Sequence, residues 1–340
     1  MEKYNKDIFE NAIDFLEKSL GEFKESPKFS VLHFAVAVEI LLKARLAKEH
    51  WSLVVQQNAN RAKYINGDFV SVNLDEAVKR LKEIVGEHIS EQELNSFRKM
   101  ASHRNKVVHF YHGEFTEEGG SSELENIIKE QCECWYFLKN MFTKRWVKHF
   151  EEHIEKFESL DFKMRRHWEY LSTVFERVNP EIEIIKAKGD PVGTCRVCHF
   201  EAVPFESEYD EYLSGNCLVC KWRSTELNVK CVCGEKMSFA NDGFQSCTSC
   251  GKNFEPQDLR ALILEMGFET GDWNDSKTPA SCSFCDGYQT VVCFHDEYIC
   301  TSCLELFEGL EQCDHCGDYC TGDMGDSGWK GGVICDGSAG

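Results

Sequence analysis

Seventeen cysteines crowd between positions 195 and 335 of this 340-residue chain, and fourteen of them stand in seven close pairs. The pairs are Cys195-x2-Cys198, Cys217-x2-Cys220, Cys231-x-Cys233, Cys247-x2-Cys250, Cys282-x2-Cys285, Cys300-x2-Cys303 and Cys313-x2-Cys316. A segment this short in long apolar runs buries little core, so cross-links must supply much of its stability. The chain begins Met1-Glu-Lys-Tyr-Asn-Lys-Asp, with no basic stretch leading into an apolar one, and it has no uncharged apolar run of roughly 18 residues. A cytoplasmic protein without a membrane span is therefore expected. In a reducing compartment cysteines spaced in this way read as metal ligands, not disulfides.

Zinc takes four thiolates at the corners of a tetrahedron, and two knuckles brought together by a hairpin provide them. Three sets follow directly: Cys195, Cys198, Cys217 and Cys220; Cys231, Cys233, Cys247 and Cys250; Cys282, Cys285, Cys300 and Cys303. A fourth is assigned to Cys313, Cys316, Cys320 and Cys335; borrowing Cys293, or cross-bracing across 282–335, would use the same sulfurs. All four sets complete their own coordination, so Zn2+ is expected to be structural. A deaminase centre needs Pro-Cys-x-x-Cys after its His-x-Glu; His199-Phe-Glu201 is present, but Asn216 stands where the proline belongs.

The charge divides with the cysteines. Residues 1–180 carry 27 Lys+Arg against 30 Asp+Glu, and residues 181–340 carry 11 against 28, a net of −17 out of the chain's −20. A general phosphate-binding surface is excluded from the second half, although Lys186, Lys188, Arg196, Lys221 and Arg223 form local basic spots near the first set. The expected organisation is a helical domain over 1–180, tandem zinc ribbons over 190–255 and a further zinc-binding module over 256–340, an α+β multidomain chain.

The first half reads as five or six helices. Phe9, Ile13, Leu16 and Leu20 share one side of a helix over 7–23, and 31–46 is apolar on most of its circumference, as a central bundle helix should be. Glu39 and Lys43 mark its wet face as an i,i+4 pair. A loop is expected over 58–75 and a short helix over 74–85. Ser90-Glu-Gln-Glu93 is a capping box opening a helix that runs to about Tyr111, with Leu94, Phe97, Ala101, Val108 and the out-of-place Asn105 on one stripe. Ser122-x-x-Glu125 opens another helix reaching toward Glu158, and 162–178 follows it.

The helix from Ser90 holds Arg104-Asn105-x3-His109-x-Tyr111. Over about residues 5–150 this motif and its helical setting resemble the higher eukaryotes and prokaryotes nucleotide-binding (HEPN) family, in its Arg-x4-His-x-Tyr ribonuclease form. The resemblance implies an all-α bundle, RNA as substrate, a two-fold homodimer with the motif helices facing each other, and a toxin or antiviral-defence setting with a protein trigger or antitoxin as partner. It also implies that His109 transfers a proton, that Arg104 binds the scissile phosphate, and that Asn105 and Tyr111 support them, with no metal needed for cleavage. The residue types suit that chemistry: histidine titrates near neutrality, and arginine stays charged and grips two phosphate oxygens. Positions five apart on a helix are about 140° apart around its axis, so Arg104 and His109 of one chain converge poorly, and a second copy would bring partners to each.

The alternative is a non-enzymatic HEPN dimerisation or adaptor protein whose ribbons bind a protein or nucleic acid. His149-x2-Glu152-His153 has the form of an inverted zinc-protease motif but lacks a third ligand, and Lys144, Arg145 and Lys148 beside it look solvated. Cys132 and Cys134, two apart on a helix, point in different directions. No phosphate-binding glycine loop occurs.

Overall fold

The structure is a computed structural model that describes residues 2–109, 121–240, 245–267, 277–313, 317–321, 325–327 and 332–334. Tyr111, Cys316 and Cys335 lie outside them. The chain divides into two units, 1–178 and 179–340, and no helix among the described residues is long and apolar enough to cross a membrane.

The first unit is helical: α1 (Glu2–Glu22), α2 (Pro27–Glu49), α3 (Arg61–Ile65), α4 (Leu74–Arg80), α5 (Glu91–His109), α6 (Ser121–Asn140), α7 (Ile154–Met164) and the start of α8 (Trp168–Ala187). As its composition requires, α2 is the central helix, burying Val31, Phe34, Val38, Leu41, Leu42 and Leu46. The expected loop over 58–75 contains the one-and-a-half-turn α3, started by Asn60, whose Oδ1 accepts from the Lys63 amide at 3.0 Å. Asn73 opens α4 in the same way, accepting from the Glu76 amide at 2.9 Å. The Ser90 capping box forms: the Ser90 amide donates to Glu93 at 2.8 Å and the Glu93 amide donates to Ser90 Oγ at 3.2 Å.

The single helix expected from Ser122 to Glu158 is broken. After Asn140 the backbone passes through a wide turn (Met141–Arg145) and two tight ones before α7 begins. In a continuous helix Phe142 and Phe150 would lie about 12 Å apart along the axis. Here their ring centroids are 4.9 Å apart, and both rings pack on Phe9. Burying three rings in one cluster outweighs the backbone bonds lost at the break. Nearby, Asp161 accepts from Trp135 Nε1 at 3.0 Å and Tyr170 Oη at 2.8 Å and pairs with Arg165 at 2.7 Å.

The second unit is rich in short sheets. β1 (Val192–Thr194) and β2 (Glu201–Pro204) form a hairpin; β3 (Glu206–Tyr209), β4 (Tyr212–Asn216), β5 (Arg223–Lys230) and β6 (Lys236–Ala240) form an antiparallel sheet in chain order. Gly215 on β4 is required by close packing, since a Cβ there would meet the Pro204 carbonyl oxygen at 2.2 Å. β7 (Gln245–Ser246) pairs with β8 (Asn253–Phe254), and α9 (Pro256–Met266) follows.

The next sheet has the order β12-β11-β10-β9-β14-β13, built from β9 (Ala280–Cys282), β10 (Gly287–Phe294), β11 (Glu297–Cys300), β12 (Leu306–Phe307), β13 (Glu311–Gln312) and β14 (Tyr319–Cys320). Only β9 and β14 run parallel in it. β15 (Gly325–Ser327) and β16 (Gly332–Ile334) make a last hairpin. One hydrophobic core takes Tyr212, Leu227 and Phe239 from before residue 255 and Leu259, Phe294 and Ile299 from after it.

Candidate functional site

The motif helix α5 is buried only in its first half, through Leu94, Ser96, Phe97 and Met100. The expected apolar stripe ends there. Val108 is 53% exposed and Asn105 is also exposed, so this half of α5 presents side chains to solvent. Beside it lies a cleft of about 700 Å³ lined by Arg98, Ser102, Arg104, Asn105, Lys106 and His109 from α5, and by Glu39, Asn73, Leu74 and Asp75 from α2 and the start of α4. Arg104, Asn105 and His109 of one chain therefore share a single cavity, despite the angular separation of Arg104 from His109.

Arg104 reaches the cleft from the flank of α5 that meets α2. Its Nη2 donates to Glu39 Oε2 at 3.3 Å, the arginine side chain is 29% exposed and the glutamate 19%. The Nε of Arg104 is buried with no acceptor among the described residues, a donor that an anion in the cleft could satisfy. Glu39 also accepts from Lys43 Nζ at 2.6 Å, and Lys43 donates onward to Ser71 Oγ at 2.9 Å. The Glu39–Lys43 pair exists as the sequence suggests, but it is half-buried and clamps the motif arginine. Sequence reasoning passed over Glu39 because its ordinary i,i+4 partner explained it fully; the Arg104 contact spans 65 positions and leaves no local pattern.

His103, next to Arg104, is turned the other way, 2.7 Å from Glu130 of α6, which also pairs with Lys99 at 2.8 Å. Burial pushes the Glu130 carboxyl up, but the hydrogen bonds from His103 and Lys99 outweigh it and hold it below the usual range. His103 is thus a packing residue. The His149–His153 pattern forms no metal-ligand cluster among the described residues: its residues sit on two tight turns, so the shared helix face is lost, and His153 is buried against Phe9 at 4.3 Å. Cys132 and Cys134 are both buried, and burial pushes both thiols well up.

In the second unit twelve cysteines form three clusters, the same sets that spacing predicts, with all four sulfurs of each within 4.8 Å of one another. Sulfur–sulfur separations are 3.5 Å for Cys195–Cys220 and Cys198–Cys217, 3.7 Å for Cys231–Cys250 and Cys233–Cys247, and 3.8 and 3.7 Å for Cys282–Cys303 and Cys285–Cys300. A disulfide would need about 2 Å. A zinc ion 2.3 Å from four sulfurs sets them about 3.8 Å apart, so the residues fit the metal.

The clustered thiols also perturb one another's protonation. Hydrogen bonds from Cys198 and Cys220 pull Cys217 down to about 2, while the hydrogen bond to Cys217 raises Cys198 to about 12. Four sulfurs this close ionise together only beside a cation. Bound there, zinc would cross-link the hairpins and leave no open position for chemistry.

The knuckles share a backbone design. The Lys221 and Cys217 amides donate to Cys217 O and Trp222 O, both at 2.9 Å, and the Gly251 and Cys247 amides repeat this with Cys247 O and Lys252 O at 2.9 Å. In the expected fourth set the Gly317 and Cys313 amides do the same with Cys313 O and Asp318 O at 2.8 Å. Cys313 and Cys320 are buried; the pairing with Cys316 and Cys335 falls outside the described residues. No family model matches this chain, and neither a curated protein nor a solved structure does.

Proposed function

We propose that the chain is a HEPN-type endoribonuclease whose cleft on α5 cleaves RNA and whose zinc-bearing unit serves recognition or regulation. The observation that carries this reading is the joint placement of Arg104 and His109 on one open cleft, with Arg104 held by Glu39 and its Nε left for an anion. In such a reaction the 2′-hydroxyl loses its proton, its oxygen bonds to the adjacent phosphorus, and the P–O5′ bond breaks. The products are a 2′,3′-cyclic phosphate and a 5′-hydroxyl that gains a proton.

His109 is the proton-transfer group and Arg104 stabilises the charge gathering on the phosphoryl oxygens. Asn105 supplies hydrogen bonds beside them. A two-fold homodimer with the α5 helices facing each other would bring a second Arg104 and His109 to the cleft, and exposed Val108 at the end of α5 supports packing against a second copy. Exposed Trp222 and Phe284, next to or within knuckles, support a recognition role for the zinc unit.

The test is incubation of wild type, His109→Ala and Arg104→Ala with total RNA in EDTA. Cyclic-phosphate ends produced by wild type alone support the reading. Products from all three variants, or from none after the cognate trigger is supplied, would sink it and favour the adaptor alternative.

A further inference from the structure

Arg98, Ser102, Asn105 and His109 follow one another on α5 at intervals of four, three and four residues, and all four line the cleft. At 100° per residue these intervals keep them within about 60° of arc, a polar stripe about 16 Å long parallel to the helix axis. The reacting groups sit at its C-terminal end. At the other end Arg98 is exposed and paired with Asp75 at 2.7 Å, an ion pair whose side chains are 50% and 62% exposed. Such an exposed pair adds little to stability, so a phosphate can displace Asp75 at small cost. Between the ends, Ser102 and Asn105 offer hydrogen-bonding groups, and buried Leu74 of α4 contributes apolar surface to the wall.

Resting on the ribonuclease reading, we infer that the substrate is a single-stranded RNA laid along α5, with Arg98 as a second phosphate-binding residue several nucleotides from the scissile bond and Asp75 as the carboxylate that RNA displaces. At about 3.4 Å per stacked nucleotide, 16 Å of stripe covers no more than about five nucleotides. A mononucleotide or dinucleotide held at His109 does not reach Arg98; an octanucleotide does. Length dependence is therefore built into the cleft.

The test uses the full chain carrying His109→Ala, so that bound RNA survives, and measures its affinity for a labelled diribonucleotide and octaribonucleotide across a salt series. Adding Arg98→Ala is expected to weaken octanucleotide binding about 10-fold more than dinucleotide binding. It should also reduce the slope of log affinity against log salt by about 0.7, the release from one single-strand phosphate contact. Arg98→Lys should restore most of both effects, and Asp75→Asn should tighten octanucleotide binding several-fold, an opposite shift that misfolding does not produce. Equal losses on both lengths, an unchanged salt slope, or no RNA binding by the His109→Ala chain would overturn the inference. If instead the Arg98 effects appear but the chain with His109 intact leaves the octanucleotide uncut, the binding track stands and the ribonuclease reading falls.

Discussion

Replacing Cys300 with serine should unfold the zinc-bearing unit, not merely soften it. Cys300 is fully buried, its Sγ lies 3.7 Å from that of Cys285, and Thr290 Oγ1 and the Ser302 amide approach it at 3.1 and 3.4 Å. Serine offers a poor zinc ligand, and the site would be left with three clustered thiols. A structural zinc site contributes on the order of 10 kcal/mol at neutral pH, whereas a whole domain is stable by about 5–15 kcal/mol. The loss of one site is thus comparable to the entire margin.

It would also spread beyond its own ligands. Ile299 and Leu304, flanking this cluster, share a core with Cys231 and Cys247 of the second one. Native mass spectrometry should find at least three zinc ions on the wild type and at least one fewer on the variant. Calorimetry should lose the transition of residues 179–340 while far-ultraviolet dichroism keeps the signal of α1 to α7. The reasoning fails if wild type carries fewer than three metal ions. It fails equally if Cys300→Ser melts within a few degrees of wild type, because about 1 kcal/mol already shifts a domain of this size by roughly 2–4 °C.

Glu39→Gln removes the carboxylate between Arg104 and Lys43, and should cut RNA cleavage by about 10- to 100-fold with the melting temperature little changed; wild-type turnover would show that Arg104 needs no clamp. Ser90→Ala breaks the capping box of α5 and should cost about 1 kcal/mol in urea unfolding, with an unchanged m-value. Burial lowers the imidazole of His153, with Glu152 and Glu10 opposing it only in part. The unfolded chain then binds the proton first, so stability is full above about pH 6.5 and falls as pH drops below it, by at most about 1.4 kcal/mol per pH unit for this group. His153→Phe should flatten that slope in denaturant titrations between pH 7 and 5; an unaltered slope would place the effect elsewhere.

What could be read beforehand depended on the range of the interaction. The three cysteine sets, the capping box at Ser90 and the central helix α2 are patterns within a few dozen residues, and each appears as its spacing requires. Helix α9 is equally local: Pro256 at its first turn, Asp258 three residues after Glu255, and Gly267 just past its end are start and stop signals, set among cysteines whose spacing is the stronger pattern. The break after Asn140 could not be read, because its cause is Phe9, more than 130 positions away, against Phe142 and Phe150. The same holds for the cleft. Its α5 wall is written in one motif, but Glu39 and Asp75 reach it only through the packing of α2 and α4, and Asn105, taken for a break in a buried stripe, lies on the open face.

The backbone supplies an argument for metal that does not depend on the sulfur distances. Immediately after the second cysteine of each of the seven knuckles the chain turns left-handed: His199, Lys221, Gly234, Gly251, Asp286, Leu304 and Gly317 all have φ between 56° and 90°. Glycine adopts this without cost, but His199, Lys221, Asp286 and Leu304 carry a Cβ, and each such residue costs on the order of 1–2 kcal/mol. Leu304 is buried, so packing contributes to holding it; His199 and Lys221 are exposed, so burial does not hold theirs. What demands it is the turn that points both sulfurs of a knuckle inward, where Cys195 and Cys217 each bond their backbone around it. A segment bearing four such residues, with a net of −17 over residues 181–340 and twelve thiols gathered in three clusters, gains little by folding this way without cations. Metal bound at the three clusters would offset both the strain and the repulsion among the thiolates, which is why these residues fit a structural cation.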